Sequence, residues 1–344
     1  MKKNSGLIAQ HSALCWGEAI RTILCLSLTI AMVVAGAIAQ AQQTGKILRI
    51  GFLDGGTAAG KAVLVEAFRQ ELSKAGWIEE KNFTIEYRFS EGKPGRRSEL
   101  AAELVRLKVD LMVVTGSAAA LDAKRATATI PIVMTNAADP VGEGIVANLA
   151  RPGGNITGFS ALSTDLSTKR LEVLKDAVPR LSRVGLLRTA RSGNAQMKDL
   201  RTAATALKLE LEEIESQGDA TGLGSAFNTA KQNQVGAIMT MATGSFFAQR
   251  KWIVKLASKH RLPAIYFSKE FVDEGGLMSY GADYDDLYRR AASYVDKILK
   301  GSKPADLPVQ QATKFEFIVN LKAAKQIGLI IPHRVLERAN QVIR

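Results

Sequence analysis

The residues with the strongest claim to chemistry follow directly on the first apolar, strand-like run. Gly55-Gly56-Thr57-Ala58-Ala59-Gly60-Lys61-Ala62 satisfies Gly-x4-Gly-Lys, the core of a phosphate-cradling loop between a strand and a helix. Three features oppose that chemistry. Ala62 replaces the Ser or Thr whose hydroxyl would hold magnesium, and Asp54 would set a carboxylate beside the phosphates. The next strand-like runs, ending at Phe89 and Thr115, supply no aspartate of the Walker type. The competing reading is a Gly-rich turn that offers helix N–H groups to another ligand, or merely makes the corner.

Other catalytic groups are scarce. The three histidines are His11, His260 and His333. His260 closes a helical pattern, where a partly protonated imidazole would complement the helix dipole, and His333 follows Pro332. Neither has the companions of a Ser-His-Asp triad or a zinc site. Gly-x-Ser-x-Gly is absent. Asp285 and Asp286 open a helix, where acidic side chains are favoured, and read as caps. No enzyme activity, cofactor or metal is expected.

The N-terminus speaks about compartment. Lys2 and Lys3 precede an apolar run over residues 23–38, followed by Ala37-Ile38-Ala39 and Ala39-Gln40-Ala41, two overlapping small-x-small patterns. That is the layout of a secretory signal peptide over residues 1–41, cleaved before Gln40 or Gln42. The apolar run is shorter than the ~20 residues that span a bilayer. Cys15 and Cys25, the two cysteines, both lie in this leader. The mature chain is therefore expected to be periplasmic and free of disulfides and thiolate sites. Its charge falls from +13 for the 344-residue chain to about +11 without the leader. The basic residues are spread among acidic ones, with no arm or aromatic RNA-binding motif, so a solvated basic surface and no nucleic-acid partner are expected.

Strand-like and helical patterns alternate through the rest. One series runs from the strand at 47–53 to that at 155–159. A second runs from the helix at 168–177 to the strand at 276–280, with one helix over 247–260. Strands separated by helices of this length form parallel sheets with right-handed crossovers. Two such series predict an α/β fold of two doubly wound lobes with a ligand cleft between them. The expected divisions are 46–160 for the first lobe, with a helix near 283–300 returning to it, and 161–282 for the second. A segment over 301–344 packs back on the lobes. Open α/β sheets bind ligands beyond the carboxyl ends of their strands. In the first lobe that selects Asp54 and Gly55, Thr115-Gly116-Ser117, and the Thr135–Pro140 stretch with Asn136 and Asp139. In the second it selects Thr189, Thr243, Phe267 and Tyr280. Ser117, read as opening an alanine-rich helix, would offer its hydroxyl and free N–H groups to a carboxylate; an ordinary helix cap is the alternative.

Several longer stretches are specific when taken together. They are Ile130-Pro131-Ile132-Val133 through Asp139-Pro140-Val141-Gly142, and Leu149-Ala150-Arg151-Pro152-Gly153-Gly154-Asn155-Ile156-Thr157-Gly158. Further on come Gly275-Gly276-Leu277-Met278-Ser279-Tyr280-Gly281, Arg289-Arg290-Ala291-Ala292-Ser293-Tyr294-Val295-Asp296, and Pro304-Ala305-Asp306-Leu307-Pro308-Val309. With these the chain resembles the ABC transporter substrate-binding proteins whose better-known members take up aromatic amino acids such as tryptophan. The resemblance implies a type I periplasmic-binding fold, with Thr115, Gly116, Ser117, Asn136 and Asp139 facing the ligand. It implies a monomer that captures a small carboxylate-bearing, amino acid-like solute by hinge closure and delivers it to permease and ATPase subunits. A ligand-sensing ectodomain partner and an exported α/β hydrolase are the alternatives. The chain departs from many relatives at Arg188-Thr189-Ala190-Arg191-Ser192-Gly193, where they carry a bulkier or Asn-Pro-containing segment.

Overall fold

The alternation of buried apolar runs with amphipathic helices produces two sheets of like design. A computed structural model describes residues 47–189 and 194–344. The expected leader lies outside the described residues, as does the segment 190–193.

The first sheet has the order β11-β5-β4-β3-β1-β2. Its strands are β1 (Leu48–Asp54), β2 (Phe83–Phe89), β3 (Leu111–Val114), β4 (Ile132–Ala137), β5 (Ile156–Ser160) and β11 (Gln310–Gln311). All its pairings are parallel. Helices α1 (Ala58–Lys74), α2 (Pro94–Arg106) and α3 (Gly116–Ala126) connect its first four strands. β3 is buried at every residue, as a central parallel strand covered on both faces must be.

The second sheet has the order β13-β12-β10-β9-β8-β6-β7. Its strands are β6 (Arg183–Arg188), β7 (Glu210–Glu215), β8 (Ala237–Thr240), β9 (Ala264–Tyr266), β10 (Met278–Ala282), β12 (Phe315–Asn320) and β13 (Gln341–Ile343). Its helices are α4 (Ser163–Ala177), α5 (Asn194–Ala206), α6 (Ala220–Gln232), α7 (Gly244–Ala248), α8 (Arg250–Lys259) and α9 (Glu270–Asp273). β12 pairs antiparallel with β10, and the other pairings are parallel. The first five strands of each series lie in the same order, second-first-third-fourth-fifth. That order places the topological switch point between β1 and β3 in one sheet and between β6 and β8 in the other, where a crevice opens beyond the strand ends.

Three segments pass between the sheets: β5 to α4, β10 to α10 (Tyr284–Leu299), and β11 to β12. α10 returns to the first sheet and packs on α1 and β4. Trp77 Nε1 donates to Asp296 Oδ1 at 2.8 Å, and the Tyr294 and Phe159 rings lie 4.8 Å apart. α11 (Leu321–Ile327) instead joins the second sheet's core through Ala323 and Ala324, and α12 (His333–Leu336) adds Val335 there. Leu48–Arg344 form one compact unit.

Three local expectations are corrected. The helix expected over 247–260 is two helices broken at Gln249: a short α7, which Thr243 caps by accepting from Phe246 N at 3.1 Å, and α8. The cap of α10 is Asp283, whose carboxylate accepts from Asp286 N at 3.0 Å. Asp285 pairs with Lys269, and Asp286 with Arg290 and Lys314. His260 does end α8, but burial and then Lys259 and Lys231 push its pKa down, so a protonated partner for the helix dipole is disfavoured.

Candidate functional site

Asp54 organises the first switch point. It is the last residue of β1 and fully buried. Its carboxylate accepts from Gly56 N and from the Thr115 hydroxyl, and Lys61 Nζ stands 3.5 Å away. The phosphate-loop reading fails on these bonds. Gly56 N–H is spent on Asp54 and Gly60 N–H on Thr57 Oγ1 at 3.1 Å, while Lys61 is buried against Asp54. A carboxylate of the chain itself occupies the place where a phosphate would need those donors.

The neighbouring loops are tied by side chains. Thr115 is the residue preceding α3 and makes no side-chain cap, because its hydroxyl is turned to Asp54. The helix starts at Gly116, at φ +75, whose N–H donates to Asn136 Oδ1 at 3.0 Å. That carbonyl also accepts from the Thr135 hydroxyl at 2.6 Å. Ser117 is the second helical residue, and its Oγ accepts from Ala138 N at 2.8 Å, holding the end of β4. Asp139 caps its own turn through Gly142 N at 2.9 Å. Gly55 receives Gly92 N on its carbonyl at 2.8 Å.

α10 and α9 complete the cluster. Tyr288 is buried among Thr115, Thr135 and Asp54, yet its hydroxyl reaches neither threonine at hydrogen-bond geometry and has no partner. Burial, with Asp54 nearby, drives its pKa far up. Tyr284 faces Asn136, Lys61 and Glu270, and burial pushes its pKa up to about 12. Glu270 opens α9, and both of its carboxylate oxygens are shut off from solvent without a hydrogen-bond partner. The nearby Ser268 hydroxyl is likewise buried and unpartnered. Burial raises the Glu270 pKa, while Ser268, Lys61 and Lys269 pull the other way. Buried polar groups without partners are rare in folded proteins, and each asks for an explanation. Arg170 of α4 stands at the same junction, fully buried, donating to Tyr280 O at 3.1 Å, Ser163 O at 3.3 Å and Ser167 Oγ at 2.6 Å. Burial lowers its pKa to about 10.

In the second lobe Thr243 lies across from the Gly55 turn, as α7's cap. Phe267 belongs to an aromatic group with Phe247 and Phe271, at centroid distances of 6.4 and 5.0 Å. Tyr280 offers its carbonyl to Arg170 and its ring to Phe317, 6.0 Å away. Thr189 ends the described part of its loop. The structure thus gathers Asp54, Gly55, Thr115, Gly116 and Asn136 around one point, with Ser117 and Asp139 bracing the loop behind. Sequence reasoning missed Lys61 as a site residue, and Glu270, Tyr284 and Tyr288 entirely. Lys61 carried a signal, the Gly-x4-Gly-Lys spacing, but it pointed to the wrong chemistry. The other three sit on helices whose packing only the fold reveals.

Two like-ordered parallel sheets, with polar groups enclosed at their facing strand ends, define a type I periplasmic-binding fold. The family model for ABC transporter substrate binding protein matches residues 59–343, and the chain belongs to that family. Such proteins bind small-molecule solutes and work with ABC transporter components. A tyrosine-binding protein of Clostridioides difficile (strain R20291) is 29% identical over 268 residues, 77% of this chain and 76% of that one. A conserved domain protein of Vibrio cholerae superposes with a TM-score of 0.80 at 27% identity, covering 86% of this chain and 100% of that one. The ABC domain of Streptococcus pneumoniae in complex with L-Trp gives a TM-score of 0.76 at 26% identity, again covering 86% and 100%. Among the described residues no helix is long and apolar enough to cross a membrane, and no His, Cys, Asp and Glu group is placed to hold a metal ion.

Proposed function

We propose that the chain is the extracytoplasmic solute-binding subunit of an ABC importer, and that it captures an amino acid between its lobes by hinge closure. The observation that carries this reading is the Glu270 carboxylate, enclosed and without a hydrogen-bond partner beside the unpartnered Tyr288 and Ser268 hydroxyls. A buried carboxylate lacking hydrogen bonds is costly in the empty protein, and an α-ammonium group supplies both the charge and the donors it lacks. The solute carboxylate then faces the first turn of α3 beyond Gly116, whose own N–H is given to Asn136; there the remaining backbone N–H groups and the helix dipole favour an anion. The aromatic pair Phe267 and Phe271 suits an aromatic side chain, in keeping with the tyrosine-binding relative and the L-Trp complex.

Calorimetry with L-tyrosine, L-tryptophan and L-phenylalanine, each against its deaminated acid, tests the assignment. The amino acids should bind and the deaminated acids should bind at least about tenfold more weakly, one charged hydrogen bond being worth roughly 1.5–3 kcal/mol. Glu270→Gln should erase that preference. A variant that still prefers the amino acid by the same factor overturns the role given to Glu270.

A further inference from the structure

The Gly-rich turn has no phosphate to hold, yet the two lobes meet there backbone to backbone. A Cβ on Gly244 of α7 would lie 3.4 Å from Gly55 Cα, and a Cβ on Gly55 would lie 3.7 Å from Gly244 Cα. One on Gly56 would come within 3.9 Å of Ala248 Cβ, and one on Gly60 within 3.1 Å of Arg250 Nη1. The turn at 55–61 therefore seats directly on the segment 244–250 of the opposite lobe, with glycines where the backbones approach.

Lys61 closes this seam. Its side chain is 4% exposed, its ammonium stands 3.5 Å from Asp54 Oδ2, and it lies 3.8 Å from the centroid of the Phe247 ring across the interface. Phe247 is held in turn. Its ring packs on Phe267 and Phe271, its carbonyl accepts from Arg250 Nη1 at 3.2 Å, and the Arg250 guanidinium, paired with Glu274 at 3.3 Å, lies 5.0 Å from the ring. A desolvated ammonium over an aromatic face is an attractive contact, stronger the less water reaches it.

We propose that the Gly55–Lys61 turn is a closure latch: Lys61, anchored on Asp54 of its own lobe, grips the Phe247 ring of the other and holds the lobes together in the absence of solute. The latch raises the closed fraction of the empty protein, and apparent affinity scales with that fraction. Only this consequence for affinity rests on the solute-capture reading; the latch itself is a property of the empty protein and is tested there.

Spin labels at Lys74→Cys and Lys259→Cys, on exposed positions of α1 and α8, with Cys15 and Cys25 replaced by serine, report the distance between the lobes by pulsed electron resonance. In solute-free protein the parent should give one short distance. Lys61→Met and Phe247→Leu should each add a longer one, and where an amino acid binds, its Kd should rise about 2- to 30-fold, the range of a cation–π contact. The two substitutions sit on elements of different lobes, α1 and α7, so a shared opening identifies the contact between them. Opening by Phe247→Leu alone would reflect lost packing in the second lobe and would overturn the latch. So would a parent already as open as both variants. If both variants open the lobes and no amino acid binds the parent, the latch stands and the assigned solute class falls.

Discussion

Glu270 is the buried carboxyl on which the proposed site turns, and its titration has a definite sign. Its carboxyl is held above the ordinary value by burial, so between the unfolded and folded pKa values the native state binds more protons than the unfolded chain. Stability of the empty protein from this group therefore falls as pH rises through that window. Urea midpoints measured from pH 4 to pH 8 should show a shallower decline in Glu270→Gln than in the parent; Glu143, Asp273 and Glu316, also raised, add to the decline, while His260 and Asp296, lowered, oppose it. Affinity for an ammonium-bearing solute should move oppositely, weakening as pH drops through the raised pKa. Ser117 was legible as a polar helix-opening residue, but not the use made of it. With its Oγ accepting from Ala138 N, Ser117→Ala should cost about 1 kcal/mol of stability in the empty protein, the scale of one hydrogen bond. Ser117→Glu should block an incoming carboxylate by placing another before it, and calorimetry on both variants separates the two effects.

Among the elements, long periodic segments were legible and short ones were not. β1 and β5 fall within one residue of the runs expected at 47–53 and 155–159, α4 ends where the helix expected at 168–177 does, and α10 matches the helix expected near 283–300. β11, of two residues, and β13, of three, escaped because so short a run carries no period. The break at Gln249 escaped for another reason: apolar spacing continues through it, with Phe246, Phe247, Ile253 and Val254 all buried. One glycine has a conformational role the sequence hinted at through Gly153-Gly154-Asn155-Ile156-Thr157-Gly158. Gly158 in β5 has φ +132, and a Cβ there would run into the Met134 carbonyl oxygen of β4. Gly158→Ala should lower stability by at least about 2 kcal/mol, since a strained backbone and a clash with backbone act together. Chemical denaturation measures it directly.

For the whole molecule the decisive feature is that the chain passes between its sheets three times. A single linker would leave the lobes free to tumble; three crossings restrict them, in keeping with the hinge closure proposed above. A solute that binds only the folded chain should then stabilise it by about 2.7 kcal/mol at a hundred times its Kd. Thermal melts across an amino-acid panel should show this as a concentration-dependent rise in Tm. A panel in which deaminated acids raise Tm as much as amino acids do would contradict the ammonium site.

The sequence by itself determined the fold class and the pairing of two like series, because hydrophobic period and turn chemistry are local and repeat often enough to be read; the family came instead from the resemblance carried by the stretches between Ile130 and Val309. The sequence also pointed to the strand ends at Asp54, Thr115 and Asn136, since the positions that follow parallel strands are known once the strands are. What only the tertiary structure decided is which distant groups meet there. Glu270, Tyr284 and Tyr288 come from the second lobe and from a helix that crosses back from it, and Lys61 finds its ring more than 180 residues along the chain. Local pattern carries no record of such meetings. They arise when the two sheets pack, with one apolar cluster running across both, and charge and desolvation then settle which groups are paired.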